Sequence, residues 1–253
     1  MRETTIMNTA KDYSMCLRDA VENFTKELIN GVFDEHYQLI HGENTKQKFL
    51  KILERLAISE SEILWNEFKN SFMIIRKKLD LDALAALNND PAAKSLEEIY
   101  LAYPGFYAIA VYRLSHQLLQ LNVPVLPRMM SEFAHRYTGT DIHAGAEIGE
   151  SFFIDHATGI VIGETTIIKN NVQIFQGVTL GGLQVKKSLA STKRHPTIEN
   201  NVIIYANATI LGGNVVIGEN SVIGANVCIR ESIPENSIVT VQYENKIFKK
   251  ERL

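Results

Sequence analysis

Little in this chain suggests secretion, a membrane or nucleic acid. Cysteine is scarce, and Cys16 and Cys228 lie too far apart for metal-type spacing, which excludes a disulfide framework and a cysteine zinc cluster. Reduced thiols in a cytoplasmic protein are the expectation. The opening "MRETTIMNTAKDYSM" lacks the apolar core of a signal peptide, and no apolar run reaches the roughly 18 residues of a membrane span. The net charge is −3, without the basic excess that nucleic acid or an anionic membrane would require. What remains is an ordinary globular composition, 45% hydrophobic and 22% charged over 253 residues, enough for one large domain or two modest ones.

The two halves are written in different periods. Leu64, Phe68, Phe72, Ile75 and Leu79 recur at helical spacing and predict one apolar stripe. Tyr107, Val111, Leu114, Leu118 and Leu121 predict a second. Between them Asp90 precedes Pro91, as an N-cap precedes a proline at the first helical position, and Ser95 with Glu98 offers a capping box. After Pro124 and Pro127, "RMMSEFAHRY" predicts one more short helix, with Met129 and Met130 as core filler.

From Asp141 onward the period becomes six. Ile142, Ile148, Ile154 and Ile160 share one register, and Ile162, Ile168, Ile174 and Leu180 a second, shifted by two. Ile198, Ile204 and Ile210 follow a gap, then Ile217, Ile223 and Ile229 after a one-residue slip. A large aliphatic residue at every sixth place marks a parallel β-helix, in which three repeats close one triangular coil of about 18 residues. Asn171, Asn201, Asn207, Asn220 and Asn226 each stand three places after a repeat isoleucine, where a left-handed corner is expected. The expected fold class is therefore α + β. Residues 1–138 form an N-terminal helical domain, 139–233 the β-helix of hexapeptide repeats, and 234–253 a tail. Residues 181–197 interrupt the repeats and are expected as an extruded loop carrying Lys186, Lys187, Lys193, Arg194 and His195. It reads either as a solvated basic loop or as a set of groups for a phosphorylated ligand.

The segments "DPAAKSLEEIYLAYPGFYAIAVYR", "TDIHAGAEIG", "IDHATGIVIGET", "QGVTLGG", "KRHPTI" and "YANATILGG" run in order from about residue 90 to 230. In them the chain resembles the serine O-acetyltransferases, which acetylate serine for cysteine synthesis. The resemblance implies a left-handed β-helix that trimerises, a homotrimer or, as in many members, a hexamer of trimers paired through the helical domains, and active sites in clefts between neighbouring β-helices. It implies acetyl-CoA as co-substrate with no tightly bound cofactor, L-serine as acceptor, and L-cysteine as a feedback inhibitor competing for the serine site.

Acetyl transfer needs a base for a weakly acidic hydroxyl, donors for an oxyanion and contacts that align the acceptor. By resemblance His156 is the general base and Asp141 the carboxylate paired with it. Histidine suits the role because its pKa lies near the operating pH. By sequence alone His156 reads equally well as a structural corner residue. Asp155 and Arg194 match serine-holding residues: an ammonium wants a carboxylate, and a carboxylate is gripped by a guanidinium fork. Against this, Asp155 reads as a turn cap and Arg194 as a solvated charge.

The resemblance makes His195 a second active-site histidine contributed across the subunit interface, and Asp90 a further substrate-side carboxylate, although helix capping also explains Asp90. Gly181, Gly182 and Ala206 match positions where small residues admit the coenzyme A arm, and Lys186, Lys187 and Lys193 are candidates for its phosphates. Glu164 acquires no role. The loop is longer than the family's "GGTGK…GDRHP", and "TKRHP" replaces "GDRHP". Many members end in an isoleucine that enters O-acetylserine sulfhydrylase, whereas this chain ends "KIFKKERL" with Leu253 last, which argues against that partnership. Rival readings are an acyltransferase for homoserine or an amino sugar, a zinc lyase on the same β-helix, and a non-catalytic scaffold. The zinc lyase needs a third histidine that the sequence after His195 does not supply.

Overall fold

The computed structural model describes residues 15–33, 43–184, 187–242 and 244. The described residues hold seven helices: α1 (Met15–Phe33), α2 (Glu43–Arg55), α3 (Ser61–Asn70), α4 (Phe72–Asn89), α5 (Leu96–Ala102), α6 (Pro104–Gln120) and α7 (Leu126–Thr138). None of them is long and apolar enough to cross a membrane. An aromatic cluster joins the first four, with Phe49 5.8 Å from Phe24 and 5.3 Å from Trp65, and Phe68 4.8 Å from Phe72. The stripe expected as one helix over Leu64–Leu79 is two, broken at Ser71, whose hydroxyl donates to the Phe68 carbonyl at 2.6 Å. A local side-chain bond of this kind competes with the helical ladder. Phe68, Phe72, Ile75 and Leu79 are nevertheless all buried.

Asp90 does not start a helix. Its N–H closes the end of α4 on the Ala86 carbonyl, and the next helix starts at Ser95, whose hydroxyl accepts from Glu98 N at 3.2 Å. The Ser95–Glu98 pattern is the signal used, and the Asp-Pro step is a turn.

After α7 the chain turns through Gly139 (φ 74°) into fourteen short strands, numbered β1 to β14 in chain order from β1 (Thr140–Ile142) to β14 (Ile238–Val239). They form three parallel sheets, ordered β1-β4-β7-β10-β13, β11-β8-β5-β2 and β14-β12-β9-β6-β3. Consecutive strands never pair; each joins the strand one coil above. This is a three-faced solenoid of the left-handed β-helix class. All fourteen hexapeptide positions from Ile142 to Ile229 are buried, stacked inside the prism. The five corner asparagines have φ between 57° and 60°. Asparagine tolerates that left-handed conformation better than other residues with a Cβ. Asn171, Asn201, Asn220 and Asn236 also bond one another through their side-chain amides in a ladder up one edge.

Partners on the first sheet stand 18 residues apart from Val161 to Thr179 and 30 apart from Thr179 to Thr209. The insertion is taken up entirely between β7 (Thr179–Gly181) and β8 (Thr197–Ile198). The regular stack also runs past the expected end at residue 233, because β14 pairs with β12.

One row of α6 fastens the helices to the first coil. Tyr112 donates to Ala146 O at 2.6 Å and accepts from Ile148 N at 3.1 Å. Arg113 is buried in a two-pronged pair with Asp82 of α4 and donates to Gly149 O at 2.7 Å, while Asp82 also accepts from Phe152 N at 2.9 Å. Gly105, near the start of α6, packs so tightly on β3 (Phe153–Ile154) that a Cβ there would lie 2.3 Å from the Ile154 carbonyl oxygen. These contacts fix the helical domain against the residues just before Asp155.

Candidate active site

The polar residues singled out from the sequence gather at two corners of the prism, on either edge of the first sheet. The corner between β3 and β4 (Ile160–Ile162) carries Asp155 and His156. His156 and Ala157 have φ of 59° and 69°, and Gly159 has 79°. Two successive non-glycine residues with positive φ cost about 1–3 kcal/mol each and persist where the surroundings impose them. Here the turn is locked by Ala157 N to Asp155 O at 2.7 Å, Thr158 N to His156 O at 2.9 Å, and the Thr140 hydroxyl to Ala157 O at 2.7 Å. The imidazole projects outward with 68% of the side chain exposed, its Nδ1 3.8 Å from the mostly buried Asp155 carboxylate. That separation is an ion-pair distance rather than a hydrogen bond.

Asp90 reaches this corner from the helical domain. Its carboxylate accepts from Ala92 N at 2.8 Å and from the Tyr103 hydroxyl at 2.6 Å. The neighbouring carboxylates, Asp90 first, push the Tyr103 phenol up to about 12.

The other corner, between the first and second sheets, carries the extruded loop. A cavity of about 610 Å³ opens there, walled by Asp141, His143, Glu164, Gly182, Arg194 and His195 among others. His195 Nδ1 accepts from Thr165 N at 3.1 Å and lies 2.9 Å from the Thr165 hydroxyl, which accepts from Arg194 N at 2.8 Å. With Nδ1 occupied as an acceptor, neutral His195 carries its proton on Nε2. His143 is set the same way, Nδ1 accepting from Gly145 N at 3.0 Å. Burial is the main cause lowering the pKa of both rings, reinforced at His195 by Arg194. Arg194 is bound to the Glu164 carboxylate and donates to Ala190 O.

The structure thus brings Asp90, Asp155 and His156 to one corner and Asp141, Arg194 and His195 to the other. Within one protomer Asp141 makes neither a hydrogen bond nor an ion pair with His156 among the described residues. Gly182 lines the cavity, and a Cβ there would meet nothing closer than 3.5 Å, so packing within the chain does not demand a glycine. Gly181 ends β7, where a Cβ would press on Leu211 at 2.9 Å. Ala206 lies half-buried at the His156 corner, two coils on, away from the cavity.

The Lys193 ammonium donates to the Thr165 and His195 carbonyls, which leaves one of its three N–H groups. Lys187 lines the cavity, and Lys186 lies outside the described residues. Glu164 has no role in the sequence reading, and Thr165 and His143 are not singled out by it, although Thr165 stands one enlarged coil before His195 and shares its phase.

Geometry defines a class first: a hexapeptide-repeat β-helix with a corner histidine flanked by carboxylates and an arginine–histidine loop at the next corner. No protein-family model matches the chain. A plasmid-encoded serine acetyltransferase of Synechococcus elongatus is 48% identical over 154 residues, 59% of this chain and 48% of the relative. The chain spans about half the length of the curated relatives it matches. Serine acetyltransferase isoform 3 of Entamoeba histolytica, solved with cysteine, superposes with a TM-score of 0.78 at 32% identity, covering 95% of this chain and 86% of that one. The Neisseria gonorrhoeae serine acetyltransferase solved with serine gives a TM-score of 0.67 at 29% identity, covering 88% and 82%. The chain belongs to the serine acetyltransferase family.

Proposed function

We propose that the protein transfers an acetyl group directly from acetyl-CoA to the hydroxyl of L-serine, giving O-acetyl-L-serine and free coenzyme A. The observation that carries this reading is the strained corner holding His156 outward beside Asp155, with Arg194 and His195 on the adjoining edge of the same sheet. In the reaction His156 takes the serine hydroxyl proton while the serine oxygen attacks the thioester carbonyl. The tetrahedral intermediate collapses by breaking the carbon–sulfur bond, and the imidazolium returns its proton to the departing thiolate. Asp141 orients the imidazole in the assembled site, Asp90 and Asp155 face the serine ammonium, and Arg194 and His195 face its carboxylate. Gly181, Gly182 and Ala206 line the path of the pantetheine arm.

Because these residues lie at two corners of one prism, the complete site forms when protomers associate side by side, as a homotrimer or as a hexamer of paired trimers. Each cleft then takes the His156 corner from one protomer and the Arg194–His195 corner from its neighbour. L-Cysteine, sharing the ammonium and carboxylate of serine, competes for the same site, as the cysteine-bound Entamoeba relative illustrates for itself. A cytoplasmic location accords with the two exposed free thiols.

The test is release of coenzyme A thiol from acetyl-CoA with L-serine, homoserine, an amino sugar or no acceptor. Serine-dependent release that disappears in His156→Ala with the oligomer intact is the expected result. A well-folded oligomer that releases no thiol with any of these acceptors overturns the proposal, and preference for homoserine or the sugar reassigns the acceptor.

A further inference from the structure

The Asp90 carboxylate is reserved for something other than a helix start. The following helix is capped by Ser95, and Glu98 is engaged with Lys94 N at 2.8 Å. Asp90 instead spends one oxygen on the Ala92 N–H and the other on the Tyr103 hydroxyl. A carboxylate offers about four acceptor positions, so two remain for a ligand.

Tyr103 is itself tied to the opposite side of the site. It immediately precedes Pro104 and Gly105, and Gly105 presses on the carbonyl of Ile154, the residue before Asp155. The short stretch from Tyr103 to Gly105 therefore couples Asp90 in the helical domain to Asp155 on the β-helix.

From this geometry we infer that Tyr103 is a positioning residue for the amino-acid end of the site: its phenol holds the Asp90 carboxylate beside Asp155, so that two carboxylates converge on one ammonium group. The inference rests on the α-amino-acid acceptor proposed above. Asp155 follows directly on Ile154, the residue whose carbonyl Gly105 packs against, so it stands at the β-helix end of the same stretch. The Tyr103 phenol stays protonated at any physiological pH, so toward the Asp90 carboxylate it is the donor. It restrains Asp90 and leaves the full negative charge for the ligand's N–H groups.

The decisive variant is Tyr103→Phe in the full chain, which keeps the ring and deletes only the hydroxyl. A hydrogen bond to a charged group is worth about 1.5 kcal/mol, so the KM for L-serine should rise roughly tenfold. The kcat and the KM for acetyl-CoA should stay within about twofold. Calorimetric titration with L-serine should show the same weakening without any turnover. In an Asp90→Asn background the tyrosine substitution should add nothing further, because the two groups act as one.

Unchanged serine affinity in Tyr103→Phe overturns the inference, as does an additive effect in the Asp90→Asn background. An equal loss for acetyl-CoA assigns the residue a merely structural role. Failure of the acceptor reading is distinguishable: wild-type protein would then neither bind L-serine in the calorimeter nor release thiol with it, and both claims would fall together.

Discussion

The ring of His195 lies against Gly163, so close that a Cβ built on the glycine would sit 2.1 Å from His195 Cδ2. The loop residue and the solenoid residue form one surface, and the glycine is what lets the imidazole lie flat on the prism. Gly163→Ala should leave the β-helix folded while pushing the ring outward. Displacement of a positioned group by about 1 Å can cost roughly a hundredfold in rate. The expected outcome is a kcat/KM for serine lower by about that factor with an unaltered circular dichroism spectrum; wild-type kinetics would show that the ring's placement is irrelevant.

Glu164 grips Arg194 from the coil below, with only 17% of the arginine side chain exposed. Glu164→Gln removes the charge and keeps the shape. Partly exposed pairs contribute about 1 kcal/mol, so the serine KM should rise roughly fivefold at unchanged kcat. Steady-state kinetics at varied serine checks this, and the effect should shrink at high salt.

His143 and His195 both have folded-state pKa values below their ordinary value of 6.5, chiefly through burial. A depressed pKa means the unfolded chain takes up the proton first as pH falls. The stability tied to the two neutral rings is therefore complete above about pH 6.5 and lost as pH falls through their folded pKa values. Denaturation midpoints should drop along that acid limb, and more shallowly in His143→Asn or His195→Asn. Titration of the two rings by NMR should give midpoints below 6.5; values above it would contradict the burial argument.

Arg113 and Asp82 hold α6, α4 and the first coil together from a fully buried position. Removing one member strands the other. Arg113→Met should destabilise the fold by about 3–5 kcal/mol, and Asp82→Leu with Arg113→Met should recover a large part of that loss. Urea unfolding of the three proteins would show the order, and equal loss in the single and double variants would refute it.

The solenoid was legible because its signal is periodic: fourteen aliphatic residues and five asparagines announce their places through spacing alone, and all of them fall there. Local signals fared less well where two explanations shared a residue. Asp90 before Pro91 and Ser95 with Glu98 both read as helix starts, and the fold decides for Ser95, with Asp90 turned to Tyr103. The roles of Glu164 and Thr165 could not be read, because they depend on where a loop of irregular length folds back. The buried reach of Arg113 was hidden for a similar reason. It lies in a helix whose apolar stripe drew attention to the residues on either side.

In a coil that repeats, address is set by phase and not by count. Thr165 and His195 are 30 residues apart yet hydrogen-bonded neighbours, because everything added between Gly181 and Thr197 hangs from a single corner. The strands above that corner resume the same vertical alignment as those below it. Lengthening or shortening this pendant therefore leaves the stacked faces in step, and what it alters is the angle at which Arg194 and His195 are presented. The prism is a fixed ruler, and this one overhang is the adjustable part.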